Sequence, residues 1–334
     1  MSWTFELLYL DEEGETTEGP IWTGRELLFT NIRRDRILRY DPKSGDIDEW
    51  RTGTNRTNGL AMDASGRIFG CCAGGRSIVR FDSDGTDTII VDRLDGKRLN
   101  TPNDLAIDRW GRIWFTNPLN DGMWDGTQEP ELDFWEVLCA DPRADGTYSL
   151  TRATFDTVQP NGILVSPDGR TLYVAESGYH RGINRELRAY PILEEGSLGT
   201  YDTLFTWGED ARGVHRGIDG MCFDSDGNIV ATSGWEVSGA GPMLVVFAPN
   251  GRVLETHPVP AARPSNVCFG GPDLRTVFVT TTTGHLFKAE TDRVGWALYP
   301  QCRRARSALA AGFELFPPRD HTLILWRHHD DLCR

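Results

Sequence analysis

The sequence predicts an all-β protein whose strands are arranged as a six-bladed β-propeller. First, glycine is abundant, at 36 of 334 residues, and short β-branched or aromatic runs alternate with Asp-Gly, Ser-Gly and Asn-Gly turns. This alternation is typical of strands joined by hairpins. Second, patterns of long amphipathic helices are scarce. Third, the chain carries an internal repeat with the length of a propeller blade.

The repeat consists of six segments with one layout. A polar residue precedes an apolar run, a turn and a second apolar run, and a third run often follows. The polar first residues, which we call lead residues, are Glu18, Asn58, Asn103, Asn161, Asp219 and Ser265, with Asn266 as the alternative in the sixth segment. They are separated by 40, 45, 58, 58 and 46 residues. A unit of about 40–50 residues with several short strands fits a propeller blade, which buries its faces against its neighbours.

The elements follow in chain order. The first two strands of the six blades are predicted in EGPIWTGRELLFTN, NGLAMDASGRIFGCC, NDLAIDRWGRIWFTN, NGILVSPDGRTLYVAE, DGMCFDSDGNIVATS and SNVCFGGPDLRTVFVTT. The long third and fourth steps indicate insertions at PLNDGMWDGTQEPELD and SGYHRGINREL, which we expect in loops of one, often functional, face. The N-terminal WTFELLYL precedes the first repeat. We expect it to pair into the last blade and close the ring.

These assignments predict one six-bladed propeller domain over residues 1–300. Residues 301–334 form a C-terminal tail that fits no blade. Its pattern is compatible with a helix and a strand packed on the outside, or with partial disorder.

Composition and charge exclude several classes of protein. The formal net charge is −14 and basic residues cluster only locally, as at Arg303, Arg304 and Arg306 near the end, so a nucleic-acid partner is not expected. No stretch has the roughly 18 apolar residues of a membrane helix, and the N-terminus lacks the features of a secretion signal. Seven cysteines without CxxC spacing argue against a disulfide framework or a zinc knuckle. We therefore expect a cytoplasmic protein with reduced thiols.

The lead residues are expected to converge. The innermost strands of a propeller start at one level near the central axis, so residues at equivalent repeat positions point toward each other. The set contains two carboxylates, several amides and no Lys or Arg. Asn and Asp also precede strands simply because they form turns. Polar residues at this position of all six segments, with acids at two and no base at any, nevertheless favour a central divalent-metal site, since carboxylate and amide oxygens suit a hard cation.

Several motifs resemble the SMP-30/gluconolactonase/luciferin-regenerating-enzyme family. These are EGP at 18–20, GKRLNTPNDLAID at 96–108, PNGI at 160–163, GIDGM at 217–221 and NVCFGGPDLRTVFVTT from Asn266. GKRLNTPND is similar to the bacterial gluconolactonases. The resemblance covers about residues 10–290. It implies a propeller with one catalytic divalent metal at the axis and hydrolysis of small, sugar-type lactones. The implied ligands are Glu18, Asn161 and Asp219, with Asn103 beside them. Ca²⁺ is the first choice, and Mg²⁺, Mn²⁺, Zn²⁺ and Fe²⁺ are alternatives.

Further residues are candidates for binding and chemistry. The resemblance matches Arg98 to an arginine that holds substrate oxygens, as Asn103 also would, and places Asn117 where bacterial relatives have the acid of FTDP. Asp219, beside the metal, is the candidate general base. His180 and His215 are expected in loops over the pocket, as substrate ligands or acids. Candidates for an apolar wall are Met123, Trp124, Tyr179 and Trp235.

Two other classes of function stay open. The same metal site could serve phosphotriester hydrolysis, because a cation polarises P=O as it does C=O, or a divergent lyase or isomerase reaction. A propeller can also be a non-catalytic binding scaffold, since fold alone does not give function. The expected partner is a small lactone rather than nucleic acid or membrane, and the oligomeric state is left open.

Overall fold

The computed structural model describes residues 2–120 and 129–297. Within these ranges 28 strands are found, of which 24 form six four-stranded antiparallel sheets and four form two short hairpins. The described ranges contain no α-helix, and hence no helix that would span a bilayer.

The six sheets are the blades, numbered in chain order. Blade 1 contains β2 (Thr17–Trp22), β3 (Leu27–Asn31), β4 (Arg36–Tyr40) and β5 (Ile47–Thr52). Blade 2 contains β6 (Thr57–Met62), β7 (Ile68–Cys72), β8 (Ser77–Phe81) and β9 (Asp87–Val91). Blade 3 contains β12 (Leu105–Ile107), β13 (Ile113–Asn117), β14 (Glu136–Pro142) and β15 (Tyr148–Arg152). Blade 4 contains β16 (Pro160–Val165), β17 (Thr171–Ser177), β18 (Arg185–Pro191) and β19 (Asp202–Thr206). Blade 5 contains β22 (Met221–Phe223), β23 (Ile229–Ser233), β24 (Met243–Phe247) and β25 (Val253–Pro258). Blade 6 contains β26 (Pro264–Gly270), β27 (Thr276–Thr281), β28 (His285–Glu290) and β1 (Glu6–Leu10). The hairpins pair β10 (Arg93–Leu94) with β11 (Lys97–Arg98) and β20 (Glu209–Asp210) with β21 (Gly213–Val214).

The blades form a closed ring. Each innermost strand contacts the innermost strand of the next blade, from β2 through β6, β12, β16 and β22 to β26, which returns to β2. The N-terminal β1 pairs antiparallel with β28, with Glu6 opposite Lys288 and Leu10 opposite His285. The predicted six-bladed propeller and its closure by the N-terminal strand are therefore confirmed. The pairing of β1 thus covers the backbone edge of β28.

The innermost strands all begin at one end of the ring, which we call the axial face. Because the strands of a blade alternate in direction, the second-to-third strand connections and the links between blades lie at this face as well. The insertion between β17 and β18, the described ends of the insertion between β13 and β14, and both hairpins are therefore found there. Residues 121–128, which include the candidates Met123 and Trp124, lie outside the described residues, as does the tail 301–334.

The turns at the opposite end of the blades are built by a recurring Asp. Asp108 accepts backbone hydrogen bonds from Trp110 (2.9 Å) and Arg112 (3.0 Å), and its second oxygen accepts the Arg112 Nε–H at 2.6 Å. Asp63 is bonded in the same way to the turn before Arg67. These side chains satisfy backbone donors of the turn and fix the register of the first two strands.

The apolar core lies between neighbouring blades rather than at one centre. One cluster joins Phe69 and Ile78 of blade 2 to Ile113 and Phe115 of blade 3. Full burial of such a side chain contributes about 1.5–3 kcal/mol. The contacts between blades therefore hold the inner strands, and the polar side chains at their ends, in fixed positions around the axis.

Candidate active site at the propeller axis

Three carboxylates meet at the axial face. Glu18 lies in β2, Asp104 directly precedes β12, and Asp219 lies two residues before β22. All three are less than a tenth exposed, and both aspartates act electrostatically on Glu18. We call these three residues the axial cluster. Glu18 and Asp219 are lead residues, whereas Asp104 follows one.

Glycines next to the lead residues make room for this cluster. A Cβ on Gly59, which follows the lead residue Asn58, would lie 2.5 Å from Asp104 Oδ1. A Cβ on Gly220 would overlap the side-chain amide of Asn266. The third and sixth segments have Asp104 and Asn266 at the position of this glycine. These are the two polar side chains that approach Gly59 and Gly220. The Asn-Gly and Asp-Gly pairs of the sequence therefore serve close packing between blades, besides any role in turns.

Asn266 connects the blades across the axis. Its Nδ2 donates to Glu18 Oε2 at 2.9 Å, and its side chain also hydrogen-bonds Asp104. Its Oδ1 accepts the backbone N–H of Val267 at 2.8 Å. One amide thus supports two buried carboxylates across the axis.

Burial and mutual repulsion shift these acids upward. The pKa of Glu18 is raised well above its ordinary value by burial and by the charges of Asp219 and Asp104. Burial raises the pKa of Asp104 to about 7. The pKa of Asp219 is raised by burial as well, although Arg216 and the Asn161 amide oppose the shift. Such shifts are common at functional sites, because charged groups collect there out of contact with water.

Arg216 is a buried base within this acidic site. Its Nη2 lies 2.5 Å from Asp219 Oδ2, and its Nη1 donates to the carbonyl oxygen of Pro264 at 2.7 Å. The side chain also hydrogen-bonds Tyr179, which lies beside Trp235 with ring centroids 6.0 Å apart. Arg216 was not predicted from the sequence, because it lies three residues before a lead residue and has no equivalent in the other segments.

The donor groups around the axis fit a hard cation. Three buried carboxyl groups and a single guanidinium lie at the axis. The Asn161 amide contacts Asp219, and the buried Oδ1 of Asn58 has no hydrogen-bond partner among the described residues. All these donors are oxygens, which suits Ca²⁺, Mg²⁺ or Mn²⁺. Within 2–120 and 129–297, no group of three or more His, Cys, Asp or Glu is arranged to hold a metal. A site here would therefore depend on amide ligands.

The structure brings together three of the four expected ligands. Asn161 hydrogen-bonds Asp219, which interacts electrostatically with Glu18. Asn103, the fourth, is half-buried at the neighbouring position of blade 3. Its backbone N–H donates to Thr116 and its carbonyl accepts the N–H of Gly59. The ligand roles of these residues remain predictions.

The other candidates lie around the cluster on the axial face. The backbone N–H of Arg98 donates to Glu131 at 2.8 Å. Asn117 is fully buried and donates to Glu136 at 3.3 Å. His180 is exposed, and His215 is half-buried with its Nε2 3.5 Å from an oxygen of Asp210. These contacts are outside the axial cluster, so a substrate role for the four residues stays a prediction.

Fold and site together define a class: six-bladed propellers with a buried acidic site at the axis. Residues 16–283 match the model of the SMP-30/gluconolactonase/LRE-like region, and the chain belongs to this family. It is 28% identical to a 6-deoxy-6-sulfogluconolactonase of Pseudomonas putida, over 79% of this chain and 82% of that one. It is 29% identical to a gluconolactonase of Zymomonas mobilis, over 80% and 76%. Among solved structures, a gluconolactonase of Xanthomonas campestris superposes with a TM-score of 0.72 at 31% identity, over 86% and 89%.

Proposed function

We propose that this protein is a lactonase that opens small, sugar-type lactones at the axial cluster. The observation that carries the proposal is the buried, oxygen-lined and acidic site on the axis of a propeller from this family. The lactonases among its relatives support the substrate class. We further propose one divalent cation, Ca²⁺ by preference, held by Glu18, Asn161 and Asp219 with Asn103 beside it.

When bound, such a cation supplies a Lewis acid that polarises a carbonyl oxygen. The chain's own residues perform the remaining steps. Asp219 accepts a proton from the water that adds to the carbonyl carbon. The ring C–O bond then breaks, and the proton returns to the ring oxygen. The product is a hydroxy acid, which releases a proton to the medium.

Substrate orientation falls to the residues on the axial face. Arg98, at the end of the β10–β11 hairpin, offers a planar fork to hydroxyl or carboxylate oxygens. Asn103 and Asn117 are further hydrogen-bonding candidates, and His180 and His215 would contact the substrate from the loops above. Tyr179 and Trp235 form an aromatic pair beside Arg216. They would cover the apolar face of a sugar ring.

The test is a pH-indicator assay on a panel of aldonolactones. Protein treated with EDTA is assayed before and after addition of Ca²⁺, Mg²⁺, Mn²⁺, Zn²⁺ or Fe²⁺. We expect metal-dependent acid release, and a loss of at least 100-fold in kcat/KM in Asp219→Asn, since general bases typically contribute 10²–10⁴-fold. Asp226→Asn, at an exposed turn of the same blade, is the matched control and should retain activity.

Two outcomes would contradict the proposal. Near-normal turnover by Asp219→Asn would exclude this residue as the base. Absence of acid release from every lactone, in protein that binds a metal, would exclude lactone hydrolysis. An organophosphate ester in the same panel tests the phosphotriesterase alternative. The cation itself is tested by whether EDTA abolishes the activity and one added ion restores it.

A further inference from the structure

Arg216 occupies an unusual position for a basic side chain. The residue is only 2% exposed, and its guanidinium lies against Asp219, on the axis where the proposed cation would also bind. A buried guanidinium loses its hydration, and this loss must be offset by close, well-directed partners. Arg216 has two such partners, the Asp219 carboxylate and the Pro264 carbonyl, and it also interacts with Tyr179.

The backbone holds both members of the pair in place. The carbonyl of Arg216 accepts the N–H of Gly234 at 3.0 Å. The N–H of Asp219 donates to Thr232 Oγ1 at 3.2 Å. Gly234 and Thr232 flank the end of β23, the second strand of the same blade. The Arg216–Asp219 contact is therefore part of the folded blade rather than a flexible surface ion pair.

We propose that Arg216 is an internal counter-ion of the axial cluster, which competes with the divalent cation for Asp219 and lowers the affinity of the site for metal. The inference rests on the metal site of the proposed function. Asp219 Oδ2 already accepts a hydrogen bond from Arg216, so a cation at this carboxylate must share it with a positive charge. In a site shielded from water, that repulsion is much stronger than it would be at the surface.

The same contact has a second consequence. Without metal, three carboxyl groups lie together in a buried site, and Arg216 offsets the negative charge of Asp219. The metal-free protein should therefore remain folded, and metal binding should be readily reversible. Replacing Arg216 by a neutral side chain should tighten metal binding and destabilise the metal-free form.

Mn²⁺ binding tests this inference without any measurement of activity. The full chain, treated with EDTA and desalted, is titrated with Mn²⁺, and free Mn²⁺ is measured by electron paramagnetic resonance. We expect Arg216→Met to bind Mn²⁺ at least tenfold more tightly than the wild type. Arg216→Lys keeps the charge but lacks the planar fork that donates to both the Asp219 carboxylate and the Pro264 carbonyl. Its affinity for Mn²⁺ should lie between those of the wild type and Arg216→Met. Arg263→Met is the matched control, since Arg263 is an exposed arginine paired with Glu236 at 3.0 Å. It should change the affinity by less than about twofold.

Thermal unfolding in EDTA and in excess Mn²⁺ supplies the second measurement. We expect Arg216→Met to unfold at a lower temperature than the wild type in EDTA. Its unfolding temperature should rise more than that of the wild type when Mn²⁺ is added. Should this variant fail to fold, Arg216→Lys decides the question alone by its affinity. Saturable binding that is equal or weaker in the Arg216 variants would overturn the competition but leave the metal site intact. No saturable binding in any of the proteins would overturn the metal site and, with it, this inference.

Discussion

Asp104 shows how a single buried side chain couples the stability of this protein to pH. Its carboxyl is buried at the axis, where it accepts the N–H of Leu105 at 2.9 Å and hydrogen-bonds Asn266. Burial raises its pKa to about 7 in the folded protein, against about 3.9 in an unfolded chain. Between these two values the folded protein holds a proton that the unfolded chain has released.

The sign of the pH dependence follows from this difference. The stabilisation from Asp104 is complete below about pH 4 and is lost as the pH rises to about 7, at about 1.4 kcal/mol per pH unit. We therefore expect the metal-free protein to lose stability between pH 5 and pH 8. In Asp104→Asn this loss should be smaller by about 2–3 kcal/mol, as measured by urea unfolding in EDTA at both pH values.

The control is Asp48→Asn, at the exposed ion pair with Arg39, which should leave the difference between pH 5 and pH 8 nearly unchanged. An Asp104→Asn protein with the same pH dependence as the wild type would show that this carboxyl does not hold its proton in the folded state.

The residues of the site differ in how far the sequence could reveal them. Glu18, Asn161 and Asp219 were predictable because they occupy the same position of a repeat, and a propeller places equivalent positions close together at its axis. Asp104 stands next to a lead residue, and only the packing against Gly59 shows its place in the cluster. Arg216 belongs to no repeat position. Its contact with Asp219 depends on the loop before β22, and no periodicity describes that loop.

At the scale of the element, the recurring turn Asp links local sequence to the blade. Asp108 is fully buried, and its carboxylate accepts two backbone N–H groups of the turn, the Arg112 Nε–H and the Trp114 Nε1–H at 3.1 Å. The pattern Asp-x-x-Gly-Arg therefore encodes the link between the first two strands of blade 3. Strand order and turns could be predicted from such patterns, whereas the long insertion after β13 offered no comparable signal.

Loss of this carboxylate should be costly. Asp108→Ala leaves buried donors of the turn and the Arg112 guanidinium without an acceptor, so we expect about 3–5 kcal/mol lower stability in urea unfolding. Asp84→Ala removes a turn carboxylate of the same kind, bonded to Thr86, but at an exposed site, and should have a much smaller effect. Equal losses in the two variants would show that burial of the Asp108 network does not matter.

At the scale of the whole molecule, the ring is closed by the first strand of the chain. β1 completes blade 6, so residues near positions 10 and 285 are paired although almost the whole propeller separates them in sequence. Trp3, further toward the N-terminus, stacks on His257 of blade 5 with ring centroids 3.8 Å apart. The N-terminal segment therefore joins two blades, and the axial cluster depends on this closure, because Glu18 in blade 1 is bonded to Asn266 in blade 6.

Deletion of residues 1–10 tests that dependence. The deletion exposes the backbone edge of β28 and uncovers apolar side chains around Phe287, which β1 and Phe5 now contact. We expect a large fall in the unfolding temperature, with aggregation through the free strand edge. The control Leu10→Ala alters a half-exposed side chain of the same strand and should change stability by less than about 0.5 kcal/mol. A deleted protein that unfolds at the wild-type temperature would show that the ring is held by the other five blades.

If the ring does need β1, the deleted protein should also lose the Mn²⁺ binding that we propose for the axis, because Glu18 and Asn266 would no longer be held together.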